Sequence, residues 1–271
     1  MRASILTLLA YLSVLVFVLP FLWALSLSVR PSLELYAPSG WGIPWLDFVP
    51  TLEAWPMALG YPGLGEAAGY SLGISAAATL LSLVLGLPAA WALAPRGGLP
   101  RTDLVVVGFL VVRLLPPIAL VIPFYFMAAT LGLLDTALVL VLVNATLVFP
   151  LVVVLLRQAF ADLPPELEEA ASIDGAGPLR ILLGIVLPLA APAMVATTLI
   201  VFAFVWNDFL FASSLSTLDV TTLPVMAIGG WAGGVRQSAV GMLICMSVPL
   251  IAALLAQRWL VSSLTLGAVK G

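Results

Sequence analysis

Six apolar stretches, over about residues 4–29, 67–93, 104–131, 136–156, 182–212 and 239–261, leave this chain few ways to fold. Each meets or exceeds the roughly 20 residues a helix needs to cross the hydrocarbon core of a bilayer. No water satisfies backbone N–H and C=O groups inside that core, so runs of this kind must be helical. The expectation is an all-α membrane protein, with one transmembrane domain of six transmembrane helices over residues 1–271. Composition agrees: 63% of the residues are hydrophobic and 8% are charged, whereas soluble domains are about 45–50% apolar. Arg2 and the small residues of Ala24-Leu25-Ser26 could belong to a signal peptide. The first run is much longer than the roughly 7–15 apolar residues of such a peptide. It therefore reads as a first span, with a kink expected at Pro20.

Charge placement chooses the orientation. Six spans put both termini on one side. One assignment places Arg2, Arg96, Arg101, Arg157, Arg180, Arg258 and Lys270 in the cytoplasm, leaving Arg30 and Arg236 outside and Arg113 within the membrane. That asymmetry follows the positive-inside rule, and the opposite orientation violates it. The outer segment from Arg30 to Gly65 is broken by six prolines from Pro31 to Pro62, and it carries Trp41, Trp45 and Trp55. It is either a lid or contact surface, or a loop that packs at the interface. With no histidine and one cysteine, Cys245, the chain excludes an internal disulfide and leaves almost no ligands for zinc or haem; no metal is expected. It lacks a GxxxxGK[ST] phosphate loop, so any ATP would be hydrolysed by another chain. Membrane lipid is an expected partner and nucleic acid is not.

The longest stretch a bilayer would reject lies within residues 157–188. Its centre reads Leu163-Pro-Pro-Glu-Leu-Glu-Glu-Ala-Ala-Ser-Ile-Asp-Gly175. Pro164 and Pro165 suit a first helical turn, where a missing N–H costs nothing. The acidic residues that follow favour the positive end of the helix dipole. Gly175, Gly177 and Pro178 then stop the helix. A short helix with small residues on one side suits close approach by another protein surface, or is simply a solvated linker.

Glu169-Ala170-Ala171, three residues, Gly175, nine residues, then Ile185-x-Leu187-Pro188 resembles the EAA motif of permease subunits in bacterial ABC importers. Further similarity to the maltose-type, carbohydrate branch lies in Leu115-Pro116-Pro117 with Pro123, Gly132-Leu133-Leu134-Asp135-Thr136, Trp206-Asn207-Asp208, Thr222-Leu223-Pro224 and the tail from Leu264. The resemblance implies the type I ABC importer permease fold in the bacterial inner membrane, with a cytoplasmic coupling helix in loop 157–181. Glu168, Glu169, Ala170, Ala171, Asp174, Gly175, Leu187 and Pro188 are implied to couple to the ATPase. The tail over 262–271, with Leu264, Thr265, Gly267 and Lys270, is implied to reach the ATPase pair; its alternative is a frayed end. The implied partners are a second homologous permease, two ATPase subunits that bind ATP and Mg, and an extracytoplasmic substrate-binding protein. The implied mechanism is alternating access, with no cofactor in this chain and no catalytic residue.

Arg113 lies ten residues beyond Asp103, about 15 Å into the bilayer at 1.5 Å per residue. A central arginine costs about 2.5–3.5 kcal/mol on insertion scales, so it should face the bundle interior or a wet cavity. It could donate to sugar hydroxyls or a phosphate, or bond carbonyls freed by Pro116 and Pro117. Asn144, Asn207 and Asp208 are further polar candidates for a solute path or gate, with Tyr125 and Trp206 as stacking surfaces. The loop 213–237 carries Gly230, Trp231, Gly233 and Arg236. By resemblance that loop reaches into the binding protein's cleft, while Trp231 could instead anchor the sixth span at the interface. The function expected is permeation of a sugar or oligosaccharide. A phosphorylated solute such as a glycerophosphate ester, an ion-coupled secondary transporter and a membrane scaffold remain the alternatives.

Overall fold

Apolar runs with few internal breakers become long helices, and prolines decide where those helices stop or turn. The computed structural model describes residues 2–33, 40–95, 100–216, 218–230 and 234–268. In chain order the helices are α1 (Arg2–Ser28), α2 (Ala54–Leu59), α3 (Leu64–Leu93), α4 (Pro100–Arg113), α5 (Pro117–Thr130), α6 (Ala137–Ala161) and α7 (Pro165–Ile173). They continue as α8 (Pro178–Leu189), α9 (Ala191–Trp206), α10 (Leu210–Leu215), α11 (Leu223–Val225) and α12 (Val235–Ala268). Four stretches, Ala10–Ser28, Leu64–Leu93, Ala137–Ala161 and Val235–Gln257, are each long and apolar enough to cross a membrane. Two bent pairs raise the number among the described residues to six if each pair is one span.

The bends depart from the sequence reading, which drew 104–131 and 182–212 as single spans. Between α4 and α5 the axis turns by 91°. Pro116 cannot donate back to Val112, whose carbonyl instead accepts the Leu115 N–H at 3.2 Å, and Pro117 starts the next helix. Between α8 and α9 the turn is 83°. There a π turn over Leu182–Val186 precedes Pro188, and Pro192 opens the helix beyond. Local hydrogen-bond loss explains both breaks. Other boundaries also move: α6 runs on to Ala161, α12 starts at Val235 and the helix continues through Ala268. The 213–237 loop contains the end of α10, α11 and a second π turn over Met226–Gly230. The expected tail at 262–271 is thus helical as far as Ala268, and Lys270 lies outside the described residues.

The chain divides into two units, Met1–Ala68 with Thr222–Val248, and Gly69–Thr221 with Pro249–Gly271. In the first, Arg30 is buried between the rings of Trp23 and Phe48, with its guanidinium carbon 5.9 and 5.2 Å from their centroids. The Ser26 hydroxyl donates to the Gly42 carbonyl, and the Thr51 N–H donates to the Val29 carbonyl at 2.8 Å. These bonds fold the proline-rich loop back onto the end of α1. In the second unit α6 is the axis. Its Val139, Leu140, Val143, Val148, Val152, Val153, Leu156 and Phe160 are all buried, and α4, α9 and α10 pack on it. Gly86 of α3 sits against α6 so closely that a Cβ there would lie 2.5 Å from Val152 Cγ1. The Ser82 hydroxyl completes that contact by donating to the Ala145 carbonyl at 3.1 Å.

Candidate functional site

The short polar helix α7 follows its local sequence. Pro164 is extended at φ −61°, Pro165 opens the helix, and Glu166 and Glu168 occupy the first turn. At the far end Gly175 is left-handed at φ +80°. Its N–H donates to the Ser172 carbonyl and the Ala176 N–H donates to Ala171, both at 3.0 Å. That pair of bonds is the glycine-dependent helix stop. No residue of α7 is buried, and Ile173 is 86% exposed. An amphipathic helix of nine residues that buries nothing on its own chain has an unpartnered face, suited to docking. Glu169, Ala170 and Asp174 share that exposure, and Ala171 is half-buried. Glu168 differs: its carboxylate turns back and accepts the Trp91 indole N–H at 3.4 Å. Leu187 and Pro188 stand beyond the π turn of α8, half-buried and exposed respectively. Arg157, near the end of α6, ties the neighbouring helix ends together. It pairs with Asp103 and donates through Nε to the Leu93 carbonyl at 2.9 Å.

The second unit also holds a cavity of about 630 Å³, floored by the α4–α5 break and walled by α6 and the α9–α10 break. Its polar lining is Arg113, Asn144, Thr146, Asn207 and Asp208, set among apolar and aromatic groups including Phe124, Phe204 and Phe211. A mainly apolar pocket with a few converging polar groups is the usual form of a small-molecule site. The four polar membrane residues singled out in the sequence therefore meet in one place. Asn144 is buried, donating to the Leu140 carbonyl at 3.0 Å and to Asp208 Oδ2 at 3.1 Å. Asp208 Oδ1 accepts the Phe211 N–H at 3.1 Å. Asn207 caps its own helix, donating to the Ala203 carbonyl at 2.7 Å.

Four placements differ from the sequence reading. Arg113 does not bond the carbonyls of the proline break; its guanidinium stands over the Phe204 ring, 5.2 Å from the centroid. Trp206 is buried and stacked on Phe202 at 5.8 Å. Tyr125 is exposed and, like Trp206, does not line the cavity. Arg236, expected to face a binding protein, is buried. Its guanidinium donates to the Arg30 carbonyl at 3.2 Å and meets Glu53 at 3.5 Å, so it is a tie within the first unit. Gly230 ends the second π turn, and Trp231 and Gly233 lie outside the described residues.

One residue quoted only as part of a turn proves to be a centre. Asp135 is left-handed at φ 58°. Its carboxylate accepts the Ser216 hydroxyl at 2.7 Å and the N–H groups of Asp219, Leu218 and Val220 at 2.9, 3.2 and 3.3 Å. Burial pushes this carboxyl up, but the bonds from Asp219, Ser216, Val220 and Leu218 outweigh it and hold the group below the usual aspartate value. Among the described residues, no cluster of three or more His, Cys, Asp or Glu could hold a metal ion.

Residues 82–266 match the family described as binding-protein-dependent transport system inner membrane component. The chain belongs to that family. The matched region contains both α7 and the cavity. Among similar family members, the trehalose transport system permease protein of Mycobacterium tuberculosis is 34% identical over 259 residues, covering 93% of this chain and 92% of the relative. The melibiose/raffinose/stachyose import permease protein of Bacillus subtilis is 31% identical over 274 residues, covering 98% and 96%. In structure, the chain resembles one from a bacterial ABC transporter involved in import of the acidic polysaccharide alginate, with a TM-score of 0.74, 20% identity and coverage of 95% and 96%. A chain of an inward-facing MetNI methionine ABC transporter aligns with a TM-score of 0.58 at 18% identity, over 77% of this chain and 96% of that one. The fold is that of type I ABC importer permeases. As a member of this inner-membrane family, the chain is a multi-pass membrane protein and a transport subunit; ATP hydrolysis belongs to a separate subunit.

Proposed function

We propose that this chain is one of two homologous permeases in an ATP-driven importer, passing a sugar or oligosaccharide through the membrane by alternating access. The observation that carries this reading is the joint presence of an unburied EAA helix and a cavity where Arg113, Asn144, Asn207 and Asp208 converge. The naming of relatives for trehalose and for melibiose, raffinose and stachyose supports a carbohydrate. Two ATPase subunits bind ATP and Mg beneath the permease pair, one of them docking on α7, and an extracytoplasmic binding protein delivers solute to the opposite face. Both termini are cytoplasmic, as the arginine distribution favours. The cavity chemistry suits a polyol: amide and carboxylate groups accept and donate to hydroxyls, while phenylalanine faces cover the apolar side of a pyranose.

One observation favours a second reading. Arg113 has no carboxylate partner among the described residues, and an unpaired guanidinium suits a phosphorylated solute such as a glycerophosphate ester. Uptake into proteoliposomes holding the complete importer, driven by enclosed ATP, separates the two. The carbohydrate reading predicts that excess disaccharide competes with uptake and glycerophosphate esters do not. Competition by the phosphorylated solute alone would replace it with the second reading, and ATP-independent uptake would refute both.

A further inference from the structure

Two carboxylates hold α10 from opposite ends. Before its first residue, Asp208 joins the Phe211 N–H to Asn144 of α6. After its last residue, Asp135 gathers Ser216, Leu218, Asp219 and Val220, and its own N–H donates to the Leu215 carbonyl at 2.9 Å. Both anchors tie α10 to α6, one through Asn144 within it and the other from Asp135 just before it. Between them α10 contributes Leu210 and Phe211 to the cavity lining, with Phe211 edge-on to Phe124 of α5 at 6.0 Å. A six-residue helix is too short to persist without such support. A non-glycine residue held left-handed, as Asp135 is at φ 58°, requires surroundings that over-determine it.

We propose that Asp135 is a positioning residue for the solute path: its carboxylate clamps Ser216 and residues 218–220 and thereby fixes α10 as the movable wall at the outer end of the cavity. This rests on the orientation proposed above, which places residues 132–136 and 213–237 on the extracytoplasmic side. With the clamp intact, α10 closes the cavity toward the outside in the resting transporter. With it released, the Asp208 anchor still holds the first turn and the wall swings about that turn.

The test uses the complete importer in proteoliposomes, with Leu210→Cys in a Cys245→Ala chain, labelled by a membrane-impermeant maleimide from each side without ATP. Asp135→Ala should speed outer-side labelling by at least about tenfold, the factor a hydrogen bond to a charged group carries. Asp135→Asn should fall between, because its amide oxygen can still accept from Ser216 and Val220 while its NH₂ opposes the donors at Leu218 and Asp219. Ser216→Ala, which removes one bond, should give a smaller rise and serves where Asp135→Ala fails to assemble. General loosening is excluded if the buried Cys245 of the otherwise native chain stays unreactive in the same variants. Labelling that ranks this way but from the side of the N-terminus would refute the orientation and keep the clamp. Equal rates in native and variant chains from both sides, or Cys245 reactivity rising with that of position 210, would overturn the proposal.

Discussion

Replacing Gly175 separates two reasons for a glycine at the end of the docking helix. An ideal Cβ at this position meets nothing within 4 Å, so the chain itself has room for a side chain. What it lacks is a free choice of dihedral, because φ is +80°. Forcing an L-residue into the left-handed region costs about 1–2 kcal/mol, which is roughly a 5- to 30-fold loss in the ratio of correctly capped to uncapped helix. Gly175→Ala should carry that whole cost, whereas Gly175→Asn should carry less, since asparagine tolerates this region. Gly175→Val should be worst, being β-branched. The assay is ATP hydrolysis by the reconstituted importer, with and without solute-loaded binding protein. Stimulation should fall in the order Gly, Asn, Ala, Val, with membrane insertion unchanged. If Ala matches the native chain while the larger Asn fails, the glycine serves close approach by a partner and the dihedral argument is wrong.

Three further outcomes follow from named contacts. Trp91→Phe and Glu168→Gln should impair stimulated ATP hydrolysis non-additively, because they touch one bond, while Glu169→Gln should add independently in a double-mutant cycle. Gly86→Val should lower the thermal unfolding midpoint in detergent through an overpacking cost of about 1–3 kcal/mol, and Val152→Ala in the same chain should restore part of it, since the added Cβ meets Val152. Asp135 has a depressed carboxyl pKa, so its contribution to stability is present above the unfolded value of about 3.9 and is lost as pH falls through the lower folded value; Asp135→Asn should therefore flatten the acid limb of stability against pH, and an unchanged limb would contradict the clamp.

The helix α7 was legible because its signals are local. Pro165 starts it, Gly175 stops it, and both bonds at its end join residues within five positions. The breaks at Pro116-Pro117 and around Pro188 carry local proline signals, yet 104–131 and 182–212 read as single spans, so both bends, of 91° and 83°, were missed. Arg113, Asn144, Asn207 and Asp208 stood out as polar groups in apolar runs, and burial cost alone predicts that they seek one another or a cavity. The Asp135 clamp was illegible, because its acceptors serve donors 81 to 85 positions away. Trp206 and Arg236 stand elsewhere than residue type suggests: a tryptophan can fill a core and an arginine can cap a distant carbonyl as readily as either can meet a ligand.

The central claim is that α7 is a docking surface for an ATPase, and Ile173 offers the most direct test because it is the most exposed large apolar residue of that helix. A photo-crosslinking amino acid placed at Ile173 in cells carrying the native importer should join this chain to the ATPase subunit, with a yield that changes when ATP is bound. Crosslinks confined to lipid or to an extracytoplasmic protein, with ATP making no difference, would contradict the account.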